Sequence, residues 1–207
     1  MDFLSTTYST SVVFAALYSA SKLAQAANRV HDAKKWRDQA LKIRSTAQNK
    51  LFNEESNYFY RGIWADGNKD PKIDSSSFYG AFMFNLFEFK GEKLQTAFKT
   101  LENRFKANDN IGLPRFENDI YYRFSDNYEA NIWPITTLWR AEFYIALGEI
   151  SKAEEIIEWV LDQQTSTGIL PEQIDPRDLK HLSVAPLTWS QAEYVSALLD
   201  LVAFEEE

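Results

Sequence analysis

Cysteine is absent from the chain, so neither a disulfide framework nor a thiolate metal site can be built. Histidine is scarce as well: His31 and His181 are the only two, too far apart in sequence to form a local ligand pair. Basic residues are outnumbered, with 22 Lys and Arg against 30 Asp and Glu, giving a net charge of −8. That balance supplies no basic stripe for phosphate backbones or anionic lipid, so nucleic-acid and membrane-surface roles are disfavoured. Apolar runs all stop well short of the ~20 residues of a membrane span, and no charged-then-apolar leader opens the sequence. The chain reads as soluble and cytoplasmic, with no cofactor or metal expected. What it has in quantity is aromatic side chains, 15% of 207 residues. That length suffices for one domain, expected to span residues 1–207, with a substantial core.

Apolar residues recur at helical spacing in two alternating styles. Residues 9–28 carry Val12, Val13, Phe14, Leu17 and Leu23 with little charge on any side, and predict a buried helix. Residues 32–51 put Trp36, Ala40, Ile43 and Ala47 on one stripe among Lys34, Lys35, Arg37, Asp38, Lys42 and Arg44. This predicts a surface helix, with Asp32 as its N-cap. The pair repeats as an apolar helix over 78–87, capped by Asp74 or Ser75, followed by an amphipathic one bearing Leu94, Phe98, Leu101 and Phe105. It repeats again over 135–147 and 151–164, and a largely apolar helix over 189–204 closes the series before an acidic tail. Seven helices alternating inner and outer predict an all-α fold, a partial α/α toroid, with a helical solenoid as the rival. Steps from inner to outer helix are short and the returns are long. The long loops, 52–73, 107–130 and 165–186, are therefore expected on one face, and a scaffold of this kind carries its site there.

The first loop combines strand-forming residues from Asn57 to Trp64 with a turn signal at Ala65-Asp66-Gly67-Asn68, predicting a small hairpin. Asp70 and Asp74 could form a carboxylate pair, but an aspartate before Ser75-Ser76-Ser77 reads better as a helix cap. The second loop carries Arg115, Glu117, Asp119, Tyr121 and Tyr122 and leads to Trp133 at a helix mouth, because Pro134 suits a first turn. Arginine beside acids and aromatics could grip the hydroxyls and ring faces of a sugar, or serve equally as a salt bridge holding the loop. In the third loop Glu172 lies between Pro171 and Gln173 in apolar surroundings. Partial burial there would suit acid or base work, and an ordinary loop glutamate is the plainer alternative.

Leu170-Pro171-Glu172-Gln173, followed by Pro186-Leu187-Thr188-Trp189-Ser190, resembles the closing signature of glycoside hydrolase family 15, the glucoamylases. Asp70 to Ser76, Leu113 to Asp119, and Asn131-Ile132-Trp133-Pro134 agree in order and spacing, with Ile132 where the family often has proline. The resemblance implies a partial (α/α)6 toroid, the carboxyl-terminal portion of a catalytic barrel. It implies Glu172 as the general base and Arg115, Trp133, Glu117, Asp119, Gln173 and Trp189 as sugar-binding residues. The implied reaction is hydrolysis of α-linked glucosides with inversion, in which a second carboxyl acts as acid. Tyr8 to Leu17 looks like the family helix that follows a Trp-Glu-Glu motif bearing that acid, which places the motif at or just before Met1. Asp2 has neither the context nor the register to replace it. The resemblance thus implies a base-bearing portion, inactive alone, that self-associates or pairs with a complementing amino-terminal half. Trehalases and dextran-cleaving enzymes of the same family, and a non-catalytic carbohydrate-binding or helical interaction module, are the alternatives.

Overall fold

The computed structural model describes residues 4–106 and 111–205. Asp2, the first residues of the 107–130 loop, and Glu206 and Glu207 of the acidic tail lie outside the described residues. The chain divides into two compact units, Met1–Arg104 and Phe105–Glu207.

In the first unit, β1 (Leu4–Thr6) runs into α1 (Thr7–Ala26), where the Thr6 hydroxyl accepts from the Ser9 amide at 3.0 Å and caps the helix. α2 (Val30–Lys50) packs on α1 through Ala33, Ala40 and Ala47, a row of small residues at heptad spacing that lets the two backbones approach. Asp32 is not the N-cap. Asn28 turns the chain at φ 59°, and the helix restarts at once from Arg29, whose side chain makes no capping bond. Asp32 instead sits in the first turn, 2.6 Å from Arg29, where a negative charge suits the helix dipole. α1 also departs from the expected all-round burial: Phe14 and Ala24 are buried, whereas Val13 and Leu23 are 49% and 73% exposed.

The 57–64 stretch divides between two antiparallel pairings. β3 (Tyr58–Phe59) pairs back with β2 (Phe52–Asn53), and β4 (Gly62–Trp64) pairs forward with β5 (Lys69–Asp70) across the expected turn, with Gly67 at φ 88°. β4 also pairs with β1, so closely that a Cβ at Gly62 would lie 2.6 Å from the Ser5 carbonyl oxygen. α3 (Ser75–Met83) starts where Asp74 accepts from the Ser77 amide at 3.1 Å, three residues ahead of the apolar run that predicted it. Leu86 and Phe87 lie beyond its end and are buried all the same. α4 (Glu92–Arg104) buries Leu94, Phe98 and Leu101 on the expected face.

The second unit is built on α5 (Pro134–Leu147), which opens with proline and closes at Gly148 in the left-handed conformation, φ 76°. Its residues from Thr136 to Ile145 are almost all buried, beneath Ala153, Ile156, Ile157 and Val160 of α6 (Ile150–Asp162). α7 (Thr188–Glu205) packs on α5 and α6 and buries Ser190 and Ala197, leaving Val195, Leu199 and Val202 exposed. Between α6 and α7, β6 (Gln173–Ile174) pairs with β7 (His181–Leu182). Seven helices in inner–outer order are therefore present among the described residues. None of them is long and apolar enough to cross a membrane.

Candidate active site

The second unit gathers its polar side chains where two loops are stitched together. Ile132 and Ile174 exchange backbone hydrogen bonds of 3.0 and 2.9 Å, joining the loop before α5 to β6. The loop before α5 is tied to that helix as well. Trp133 donates its amide to the Leu113 carbonyl at 2.9 Å, Thr137 Oγ1 accepts from the Leu113 amide at 2.9 Å, and Thr136 Oγ1 donates to the Leu113 carbonyl at 2.7 Å. Gly112 precedes this knot because a Cβ there would lie 2.4 Å from the Ile132 side chain. The loop carrying β6 is tied to α7, where Ser190 Oγ donates to the Pro171 carbonyl at 2.8 Å and Gln191 Nε2 to the Leu170 carbonyl at 3.0 Å. Both loops thus reach the site from regular structure, which fixes their side chains better than a free loop would.

Glu172 is half-buried at the centre of this arrangement. Its amide donates to the Val184 carbonyl at 2.9 Å. Its Oε2 accepts from Ser183 Oγ and, at 3.2 Å, from Gln173 Nε2. Both donors meet the same carboxylate oxygen, and Oε1 has no partner among the described residues. Gln173 is wholly buried, and its Oε1 accepts from Asn131 Nδ2 at 2.7 Å.

Arg115 and Trp133 form a second cluster, on the loop before α5. Asp119, 3% exposed, takes Arg115 Nε at 2.7 Å and Nη2 at 3.0 Å in a two-point grip. The grip lays the guanidinium 4.3 Å from the centre of the Trp133 ring and 5.1 Å from that of Tyr121. Trp133 is 2% exposed, and its buried indole Nε1 has no hydrogen-bond partner among the described residues. Of the sequence candidates, Glu172 and Gln173 fall in one hydrogen-bonded cluster, and Arg115, Asp119 and Trp133 in a second. Glu117 lies half-buried two residues before Asp119. Trp189 stands apart: it is 64% exposed in the first turn of α7, outside the hydrogen bonds just described. The neighbour that reaches the Glu172 loop is Ser190, not Trp189, because successive helical residues point in different directions.

Asp70 and Asp74 do not form a catalytic pair. Asp70 is bound to Arg61 at 2.6 Å, and Asp74 caps α3 while accepting from Ser76 Oγ at 2.5 Å, with burial holding its carboxyl above the usual range. Asp175, next to the cluster, is drawn below the usual range by hydrogen bonds from Arg177, at 2.9 and 2.6 Å. Its charge is therefore committed to that pair. Asn131 and Ser183 were not singled out by sequence. Asn131 lies within a matching segment and Ser183 between two of them, and the signal available was chemical: a short polar side chain near Trp133 or Glu172 needs a partner once buried.

No protein-family model matches the chain. An uncharacterised glycosyl hydrolase of Methanocaldococcus jannaschii is 25% identical over 201 residues, covering 91% of this chain and 31% of the relative. A trehalase of Mycolicibacterium smegmatis is 27% identical over 79 residues, 38% of this chain and 12% of the relative. Among solved structures, a bacterial glucoamylase complexed with acarbose superposes with a TM-score of 0.79 at 19% identity, over 96% of this chain and 34% of that one. The chain thus spans about a third of the length of the Methanocaldococcus jannaschii relative and of that structure. It is a partial (α/α)6 toroid of the glucoamylase type, resembling glycoside hydrolase family 15, and it is similar over nearly all its length to a glycosyl hydrolase.

Proposed function

We propose that this chain is the base-bearing portion of an inverting glycoside hydrolase acting on α-linked glucosides of the starch or maltooligosaccharide kind. Glu172 is the general base: it activates water against the anomeric carbon while a carboxylic acid outside these residues protonates the departing oxygen. The observation that carries this reading is the pair of donors, Ser183 and Gln173, on one oxygen of a half-buried carboxylate whose other oxygen is left to act. Arg115, with donors beyond the two that Asp119 engages, binds sugar hydroxyls, while the buried Trp133 ring backs its guanidinium. Asp119, Glu117 and Gln173 support the sugar-binding groups, and Trp189 lends an exposed ring to a longer substrate.

The chain alone releases no glucose from maltooligosaccharides, because no Trp-Glu-Glu acid lies within it. A complementing amino-terminal half that carries such an acid restores turnover, and Glu172→Gln then lowers it by about 10²–10⁴. Ordinary turnover by the isolated chain, or full activity in the Gln variant, would overturn the assignment. Trehalose is the second substrate to try, favoured by the likeness to a trehalase. A tryptophan-fluorescence response to maltooligosaccharide, with no turnover in any assembly, would favour a binding module instead.

A further inference from the structure

Gln173 can serve the Glu172 carboxylate in only one orientation. A primary amide carries an acceptor oxygen on one side and an NH2 on the other, and the two fill nearly the same space. Turned the wrong way, Gln173 would set its carbonyl against a carboxylate and remove a donor from it. Being wholly buried, it is shielded from bulk solvent, which would accept either orientation.

Asn131 settles it. The Asn131 side chain is 1% exposed, and its Nδ2 faces two backbone carbonyls, Tyr122 at 2.9 Å and Tyr121 at 3.3 Å. Carbonyl oxygens only accept, so this end of Asn131 must be the NH2. The same nitrogen lies 2.7 Å from Gln173, which obliges Gln173 to present its oxygen there and its own NH2 to Glu172 Oε2, 3.2 Å away. The sense of each bond is thus fixed by the one before it, starting from backbone that cannot reverse. We propose that Asn131 is a positioning residue that fixes the orientation of the Gln173 amide and, through it, the carboxylate of Glu172. Tyr122 is held at φ 55°, an uncommon conformation for a bulky residue, by the loop whose carbonyl starts this relay.

The relay is independent of any reaction; only the word base rests on the proposed function. Its test is therefore spectroscopic and uses the isolated chain, with the side-chain amides of Asn131 and Gln173 followed by 15N–1H NMR across the titration of Glu172. Both amides should shift with pH in the wild type, and both shifts should vanish in Glu172→Gln. In Asn131→Asp the Gln173 amide turns its NH2 to the new carboxylate, and its response to Glu172 is lost while circular dichroism is unchanged. If Asn131→Asp does not fold, the wild-type and Glu172→Gln pair still decides. An Asn131 amide that ignores Glu172, or a Gln173 response that survives in Asn131→Asp, overturns the relay. In a complemented, active assembly Asn131→Asp lowers kcat by about tenfold or more with KM nearly unchanged. A raised KM at constant kcat would mean that only the tyrosine loop had been disturbed, and overturns the positioning role. Absence of turnover in the wild-type assembly would refute the proposed function and leave the relay to the NMR result.

Discussion

Asp119 is the residue on which the two readings of Arg115 divide. Asp119→Asn keeps the size of the side chain but removes the charge that grips the guanidinium at 2.7 and 3.0 Å. Losing hydrogen bonds to a charged partner costs about 1–3 kcal/mol, seen as a lower urea midpoint. If Arg115 binds sugar on Trp133, the fluorescence response to maltooligosaccharide weakens together with stability. A lower midpoint with the sugar response intact would leave the pair as a loop tie only. Gly112→Ala is expected to destabilise by about 1–3 kcal/mol in the same assay, because its Cβ would lie 2.4 Å from the Ile132 side chain at the point where both site loops are joined. At this scale the sequence was legible where a residue type is committed to a role. Asp74 before three serines reads as a cap and is one, and Pro134 opens a helix as its fixed φ allows. Asn131 and Ser183 were not legible as parts of the site, since their roles depend on partners 42 and 11 residues away in the chain.

At the scale of elements, α5 and α7 share a buried acid. Glu142 on α5 is 3% exposed, and burial, followed by the charges of Glu193 and Asp200 on α7, pushes its carboxyl up to about 8. No cation offsets this within the helix pair's described contacts. Arg140 on α5 and Lys152 on α6 both lie over the Tyr144 ring, at 5.4 and 5.0 Å. With an ordinary value of 4.5 in the unfolded chain, Glu142 holds its proton in the folded state over a window in which the unfolded state has released it. Folded protein then binds more protons, so stability is highest below the lower value and falls as pH rises through the window to the upper one. The slope is at most about 1.4 kcal/mol per pH unit, and Glu142→Gln should flatten it and raise the urea midpoint at pH 8. An unchanged pH dependence in that variant would place the proton elsewhere. Periodicity located all seven helices because each surface helix has one buried stripe, as Leu94, Phe98 and Leu101 display in α4. It misjudged helix starts where a turn rather than a cap decides, as at Asn28 and Arg29 before α2. Nor can it tell an apolar helix that is buried on all sides from one that leaves apolar residues exposed, as α1 and α7 do.

For the molecule as a whole, those two helices carry the consequence. In the first unit α1 exposes Val13 and Leu23, and in the second α7 exposes Val195, Leu199 and Val202, with Trp189 and Phe204 at its ends. Helices apolar on most sides are ordinarily buried, and contiguous apolar surface on a water-soluble protein marks a contact face. The relatives extend well beyond the aligned stretch, since this chain covers 34% of the bacterial glucoamylase and 31% of the glycosyl hydrolase. A second copy of the chain is the occupant of these faces that can be tested directly. The isolated chain is expected to self-associate, its mean mass in sedimentation velocity rising with concentration through the micromolar range. Leu199→Glu should return it to monomer without lowering its thermal midpoint, because Leu199 is 64% exposed and contributes little to the core. A complementing half should compete with self-association, and the mixture should sediment as one defined species. A chain that stays monomeric at high concentration with α7 intact would show that these faces tolerate water, and the expectation of a partner would fall with it.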